Sequence, residues 1–430
     1  MTTPIRASIE IRFSDDTVLT QWETITIRER FDDALGSYSF TVKPTFEKLF
    51  DFQLRLMKGE LVRVYVDGHP YATPIIESVA TSVDRSGSVK MQVECKSVLL
   101  AATEASADPQ IYQKQQADVP VSGLVLDVLK PFGFTSINTD AAGNVKVLTG
   151  KGVEGRAPAI TADTLKAKDA AVNDNETCYG YLARLYSRLG VALRVTYENE
   201  LLLQEPGYDQ HPSYSVMEGQ GDETGFNRDR ALSITLRETN SGQFSKVVIL
   251  GKDGEKRGKK QTAKPRAALR QTRLTGPLGP SLTAETGFDI EAFAQAMWDV
   301  YAEDQPFENV KEESFASDFP LYTSSLHPFK PKYYVDKRSR DNERCASFCK
   351  LVHTKNAPNA YEVTVELDGL VAATGAVYAI DTTCDVESTA LKLKSTMWVH
   401  EVTLTQSRSG SRTTLKLLPL GSFVLGDIPS

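Results

Sequence analysis

One group of residues in this sequence has the types and spacing of metal ligands. Cys345, Cys349 and His353 follow one another at i, i+4 and i+8, so a helix would place all three on one face. Structural zinc sites usually take closely paired cysteines and need a fourth ligand, which this segment does not supply. Small side chains on one helix face are also what a buried core requires. We therefore predict no metal site and no cofactor.

The sequence also lacks the motifs by which common enzymes are recognised. It contains no GxxxxGK[ST] phosphate loop, no HExxH zinc helix and no GxSxG nucleophile elbow. Adjacent carboxylates such as Asp15-Asp16 and Asp32-Asp33 point to opposite sides of the chain and suit turns better than paired acid–base chemistry. The sequence predicts a protein that is not an enzyme and has no catalytic or cofactor-binding residues.

Length and composition indicate a multidomain globular protein. A chain of 430 residues with 41% hydrophobic content exceeds what one core usually serves. The net charge of −7 argues against wholesale binding of nucleic-acid phosphates, so any DNA contact should be local or transient. The five scattered cysteines predict free thiols instead of a disulfide framework.

The first residues alternate polar and apolar side chains, which predicts a strand and not a signal peptide. No apolar stretch is long enough to span a bilayer, so we expect synthesis in the cytoplasm and no stable membrane insertion.

Residues 61–97 carry the clearest strand pattern, and they predict a three-stranded antiparallel meander. Asp67-Gly68 supplies the residues of a tight turn, and a second turn follows at residues 84–87. Beyond it, Val89, Met91, Val93 and Cys95 alternate with polar residues. Between Thr45 and Lys58 the apolar pattern fits either a short helix or a covering loop.

Two segments of this first region recur later in the chain. ITIRE at 25–29 is echoed by ITLRE at 234–238, and each is followed by an aromatic-led segment, Tyr38-Ser39-Phe40 or Phe244-Ser245-Lys246. Residues 75–94, with their Arg-Ser-Gly-Ser turn, are echoed by residues 398–418. Either match alone is close to chance, but two matches in the same order indicate a duplicated β-domain.

A small α/β unit is predicted between the copies. Pro120, apolar residues at helical spacing and Pro131-Gly133 indicate one helix. The second helix should be capped by Asp174 or Asn175 and end at Gly190, with a hairpin turning at Glu198-Asn199-Glu200 directly after it.

The second copy carries a long insertion that begins with a basic loop. Its cations could neutralise DNA phosphates, dock on an acidic neighbouring subunit or simply be solvated. Helices are predicted over residues 289–302 and 342–353. The candidate docking residues in the loop are Lys256, Arg257, Lys259, Lys260 and Lys264.

The order of these features resembles one known family. DNETCYGYLARLYSRLGVALRVTYENELLLQEP, FSKVVILG and WVHEVTLTQSRSGSRTTLKLLPLGSF, with the duplicated β-domain, resemble the baseplate hub proteins of Mu-like contractile-tailed phages, also called the late control protein D family. The connector at residues 381–398 and the large insertion depart from a minimal hub.

The resemblance implies a structural hub of the virion: a homotrimer whose two tube domains per chain form a pseudo-sixfold ring. Its implied partners are the central spike protein, the tail tube or tube-initiator protein and the baseplate wedge proteins, with tape-measure protein and DNA passing through the lumen. The alternatives are a type VI secretion hub of the VgrG kind, which usually continues into a β-helical spike, and a tail-associated cell-wall hydrolase.

The expected fold is mainly β with α+β insertions: two similar antiparallel β-barrel-like tube domains, a small α/β domain and a helical or loop insertion. The expected boundaries are 1–101 for the first tube domain, 102–228 for the middle domain, 229–251 with 346–430 for the second tube domain, and 252–345 for the insertion. The candidate subunit and tube interface residues are Arg28, Arg85, Arg237 and Arg408.

Overall fold

The computed structural model describes residues 8–20, 22–85, 87–108, 121–135, 147–148, 172, 175–189, 192–204, 206–208, 210–218, 228–238, 246–251, 266–270, 331–336, 361–420 and 422. The chain divides into two compact units, Met1–Arg237 with Glu362–Leu420, and Glu238–Tyr361 with Gly421–Ser430.

Strands make up most of the described structure. In chain order they are β1 (Ile9–Arg12), β2 (Trp22–Arg30), β3 (Asp33–Val42), β4 (Arg63–Val66), β5 (His69–Ala72), β6 (Ile75–Val83), β7 (Val89–Lys96), β8 (Val147–Leu148), β9 (Ala192–Val195), β10 (Leu201–Gln204), β11 (Tyr214–Glu218), β12 (Asp229–Glu238), β13 (Lys246–Gly251), β14 (Arg266–Arg270), β15 (Pro331–Asp336), β16 (Tyr361–Asp368), β17 (Thr383–Ser388), β18 (Leu393–Ser407) and β19 (Gly410–Pro419). The helices are α1 (Leu49–Arg55), α2 (Leu100–Glu104), α3 (Val121–Leu129) and α4 (Cys178–Leu189).

Six strands close into a barrel, in the order β17-β11-β12-β16-β19-β18 and back to β17. Closure is possible because β18 is 15 residues long and uses its outer edge twice. Residues 393–398 pair with β17, and residues 401–407 pair with β2. The sheet therefore continues out of the barrel as β2-β3-β7-β6. The predicted fold class, mainly β with barrel architecture, is confirmed.

Two sets of four strands in this sheet have the same order. The first is β2-β3-β7-β6 and the second is β12-β16-β19-β18, so the ITIRE strand and the ITLRE strand hold corresponding places. In both sets alternate side chains of the inner two strands are buried. The strand order therefore agrees with the predicted duplication, while the exact domain boundaries stay a prediction.

The two hairpins, β6-β7 and β18-β19, share an irregularity as well. Both hairpins carry a β-bulge at the matching place, between Ile76 and Ser78 in the first and between Val399 and Glu401 in the second. A bulge is a local irregularity that period-2 alternation does not require. Its recurrence at one position supports a common origin more strongly than the shared tetrapeptide does.

The structure differs from the sequence comparison in one strand of the second set. β16 holds the place of β3, whereas Lys246–Gly251 forms β13 in the second unit, between β14 and β15. The similarity of residues 244–246 to Tyr38-Ser39-Phe40 therefore does not mark an equivalent strand. Such a short alternating segment fits any strand. The strands β14 and β15 were not predicted.

Residues 61–97 form two hairpins in different sheets, so the predicted single meander is wrong in its pairing. β4 and β5 join β1, while β6 and β7 end the large sheet. Pro74 lies between the hairpins and has no N–H to extend a ladder. The predicted turn at Asp67-Gly68 is confirmed, with φ of 52° and 75°.

The α/β part of the first unit packs α3 and α4 with the small sheet β8-β10-β9. Its core includes Leu124, Tyr181, Leu185 and Leu203. The N-cap of α4 is Thr177, whose Oγ1 accepts a hydrogen bond from the Gly180 N–H at 3.0 Å, and not Asp174 or Asn175 as predicted.

The other predicted helices have different outcomes. Residues 45–58 contain a 3-10 turn and α1, which decides for the helix. The predicted helices at 289–302 and 342–353, and the Cys345, Cys349 and His353 group, lie outside the described residues. Within the described part, no helix is long and apolar enough to cross a membrane.

Candidate assembly interface

The first unit contains a junction at which one sheet copy is joined to the other, edge to edge. β2 of the first copy pairs antiparallel with β18 of the second, with Arg30 opposite Glu401 and Thr24 opposite Ser407. The two four-stranded sets thus form one continuous sheet within a single chain. This junction shows one way in which two copies of the four-stranded set pair with each other.

An ion-pair cluster crosses the junction. The Arg28 Nε and Nη2 atoms donate to the Glu401 Oε1 and Oε2 atoms at 2.9 and 3.2 Å. Lys416 Nζ lies 3.2 Å from Glu401 Oε1. The Glu401 side chain is 5% exposed and that of Arg28 is 52% exposed. Burial opposes ionisation of Glu401, but its hydrogen bond with Arg28 and the nearby Lys416 charge lower its pKa.

Aromatic packing also supports the junction, next to the ion-pair cluster. Trp398 is fully buried, and its ring meets that of Phe31 edge to face with centroids 5.0 Å apart. The Phe31 N–H donates to the carbonyl of His400 at 2.9 Å. His400 Nε2 lies 3.2 Å from Asp32 Oδ1. Burial opposes ionisation of Asp32, yet the nearby His400 imidazole and the Arg30 charge lower its pKa.

A buried carboxylate, Asp381, ties the α/β part to the barrel. Its Oδ1 accepts hydrogen bonds from the Gly207 N–H at 2.7 Å and from Trp398 Nε1 at 2.9 Å, and its Oδ2 accepts one from Gln204 Nε2 at 2.6 Å. Burial raises the pKa of Asp381 to about 6, and these donors offset part of that rise. Sequence reasoning missed this residue because its donors lie far away in the chain.

Two strands of the large sheet have an edge that is open over part of its length. β6 is the last strand at one end, and Val83 in it is 65% exposed. In the described part of the chain β12 pairs with β11 through residues 229–231, and Leu232, directly after that pairing, is 56% exposed. Among the described residues no strand pairs with the outer edge of β6 at residues 78–83 or of β12 at residues 232–238. Open, apolar strand edges are ready to pair with another chain.

A second apolar surface lies beside the β6 edge. On α1 and the turn after it, Phe50, Leu54 and Met57 are exposed at helical spacing, while Phe52 packs inward. The chain then bonds to β6, since the Gly59 N–H donates to the Ile76 carbonyl at 2.9 Å. Large exposed apolar patches mark interaction sites more often than chance.

The predicted arginines take different places in this arrangement. Arg28 lies at the junction within the chain. Arg85 and Arg408 lie exposed in the turns after β6 and β18, and Arg237 is exposed in the open part of β12. The Arg408 charge reaches Glu23, whose pKa is lowered chiefly by its hydrogen bond with Lys43. The docking residues Lys256, Arg257, Lys259, Lys260 and Lys264 lie outside the described residues.

Phage tail proteins of known structure are similar to this chain. No protein-family model and no curated protein matches the sequence. The tail protein from Neisseria meningitidis MC58 is similar over 97% of this chain and 98% of its own length, with a TM-score of 0.64 and 13% identity. The 43 kDa tail protein of prophage MuSo2 from Shewanella oneidensis is similar over 97% and 99%, with a TM-score of 0.65 and 14% identity.

A chain of the Francisella PdpA–VgrG complex is also similar, over 99% of this chain and 59% of that chain, with a TM-score of 0.46 and 10% identity. That likeness is too weak to carry an argument. The two stronger similarities show that this chain has the fold of phage tail proteins.

Proposed function

We propose that this protein is a structural, non-enzymatic hub of a phage or phage-derived contractile tail. It forms a homotrimer in which two sheet copies per chain build a pseudo-sixfold ring, joining a sixfold tail tube to a threefold central spike. Its other partners are the baseplate wedge proteins, and its lumen passes tape-measure protein and DNA. It resides in the virion after synthesis and assembly in the host cytoplasm.

The observation that carries the proposal is the junction of β2 with β18. Two copies of one four-stranded set, with the same strand order and a bulge at the matching place, already lie edge to edge inside each chain. Three such chains supply six copies, which is the number needed to match a sixfold tube from a threefold assembly. The fold shared with phage tail proteins supports the same reading.

The face that the sheet leaves uncovered also suits a lumen wall. On it Thr26, Thr403 and Thr414 are partly exposed, and the exposed Arg28 is neutralised by its ion pair with the buried Glu401. A hydroxyl-rich face with mixed charge has no strong attraction for phosphates, so a passing polymer would not be held.

Light scattering after size exclusion tests the assembly. We expect a mass of three times the 47.4 kDa chain, or a monomer that becomes a trimer when the spike protein is added. Electron microscopy of the trimer should show a ring with six similar lobes. A stable dimer would contradict the proposal.

A further inference from the structure

We propose that the ring closes through one specific strand pair: β12 of one chain adds antiparallel to the outer edge of β6 of the next chain, in the register of the β2–β18 junction. This inference rests on the proposed ring and names the contact that closes it. The partner is a second copy of this chain.

The junction inside the chain provides the template for this contact. β2 corresponds to β12 through ITIRE and ITLRE, and β6 corresponds to β18 through their matching bulges. Each chain therefore uses one β2-type edge and one β18-type edge internally. It keeps one β2-type edge, on β12, and one β18-type edge, on β6. The two remaining edges are complementary and not identical.

The open part of β6 matches the part of β18 that is used at the junction. The outer edge of β18 pairs first with β17 and then, after its bulge, with β2. The outer edge of β6 is likewise bonded before its bulge, where the Ile76 N–H donates to the Glu60 carbonyl at 2.9 Å. After the bulge, the outer edge of residues 78–83 has no strand partner among the described residues.

The open part of β12 shows the same division. Its residues 229–231 pair with β11, and the ITLRE segment beyond them is the equivalent of the stretch of β2 that pairs with β18. In β2 the matching apolar residues Ile25 and Ile27 are buried, whereas Ile234 and Leu236 of β12 are only partly buried. A neighbouring β6 edge, with its exposed Val83, would complete this burial.

The register follows from the template. Thr403 lies opposite Arg28 at the junction, and their equivalents are Ala80 and Arg237. The expected pairs between neighbouring chains are Val79 with Glu238, Ala80 with Arg237, Thr81 with Leu236, Ser82 with Thr235, Val83 with Ile234 and Asp84 with Ser233.

The geometry of such a contact determines the assembly. Because the two edges are different surfaces, each chain binds one neighbour at each end, head to tail. Heterologous contacts of this kind form a closed ring when their rotation closes and an open filament when it does not. In the proposed ring, a rotation of about one sixth of a turn at each contact between copies would close the assembly after three chains.

Engineered disulfides test the pairing in the full-length chain. The test pair is Ser82→Cys with Thr235→Cys, both exposed and expected to lie directly opposite each other between chains. The matched positive control is Thr405→Cys with Thr26→Cys, the equivalent pair at the internal junction. The register control is Ala80→Cys with Thr235→Cys. All variants carry Cys345→Ser and Cys349→Ser, since Cys95, Cys178 and Cys384 are buried.

After mild oxidation and denaturing electrophoresis without reductant, the test pair should give chains linked up to the trimer. The junction control should give an internal link without a change in mass. The register control should link about tenfold more slowly, because diagonal neighbours are too far apart for an unstrained disulfide. Each single-cysteine variant should remain unlinked.

The outcomes separate this inference from the proposed function. A trimer by light scattering without the Ser82–Thr235 link, or with equal linking in the register control, would overturn the strand pairing and leave the hub intact. Linked species that end at two chains or extend well beyond three would confirm the pairing and overturn the trimeric ring. A chain that stays monomeric and unlinked, alone and with spike protein, contradicts both.

Discussion

The two copies of the four-stranded sheet differ in what covers their outer strand. β2 of the first copy is covered by β18, and its Ile25 and Ile27 are buried. β12 of the second copy presents the same alternation, but its apolar residues are partly or largely exposed. The same sequence pattern thus occurs once in a strand that another strand covers and once in a strand whose edge is open. Among the described residues, another strand covers only one of these two equivalent edges.

The largest effect should come from shortening a side chain at the covered edge. Ile27→Ala removes a fully buried side chain from the junction and should lower the free energy of unfolding of the monomer by about 2 to 5 kcal/mol. The equivalent change Leu236→Ala, at a partly exposed position, should cost less than about 1 kcal/mol. Urea denaturation of both variants measures the difference. Equal losses would mean that β12 is already covered as β2 is.

A smaller and pH-dependent effect is expected at Asp381, which belongs only to the second copy. Its pKa is about 6 in the folded chain, above the ordinary 3.8, so between these values the folded chain holds a proton that the unfolded chain has released. Its contribution to the free energy of unfolding therefore falls as pH rises through this interval, by on the order of 2 to 3 kcal/mol in total.

Asp381→Asn should remove this dependence, since the amide oxygen can still accept from the Trp398 and Gly207 N–H groups. The variant should therefore gain stability relative to the native chain when pH is raised from about 4 to about 7. Thermal unfolding across that range measures it. Parallel pH profiles for the two proteins would show that Asp381 titrates normally.

Glu401 should behave with the opposite sign, because its folded pKa is lowered. The stability that it contributes is present above its ordinary pKa of 4.5 and is lost as pH falls through its lower folded pKa. Glu401→Gln should lower the free energy of unfolding by about 1 to 2 kcal/mol at neutral pH, discounted for the exposure of Arg28, and by less in acid. Lys394→Gln is the control, since its partner Glu387 is a surface residue. If both variants lost the same free energy of unfolding, the ion pairs at the junction would stabilise the fold no more than a surface pair does.

Sequence patterns predicted the local elements better than their partners. Alternation located β7, and the positive-φ pair Asp67-Gly68 located a turn, because both depend on neighbouring residues alone. The partner of a strand depends on residues hundreds of positions away, so Lys246–Gly251 was assigned to the wrong strand position. The duplication connected ITIRE with ITLRE, but the junction itself could not be predicted because nothing in either segment specifies β18.

The candidate site shows the same limit. The repeat predicts Arg28 as an interface residue, and the structure places it at the internal junction, hydrogen-bonded to a buried Glu401 that no local pattern marks. Val83 and Leu232 were not selected, because exposure of an apolar strand residue is evident only once the sheet ends are known. The open edges can therefore be identified only from the strand order.

The smallest effect on the monomer, and the sharpest test of the comparison, should come from Val83→Lys. The residue is 65% exposed, so the free energy of unfolding of the monomer should change by less than about 0.5 kcal/mol. A lysine in an edge strand discourages pairing, since its charge would have to be buried against β12 of the next chain. The trimer should then be lost, while Val18→Lys, at an exposed valine outside β6 and β12, should assemble normally. If the Val83→Lys chain assembles as well as the native one, the exposed edge of β6 is not where one copy meets the next, and the contrast between covered and open strands has no bearing on the ring.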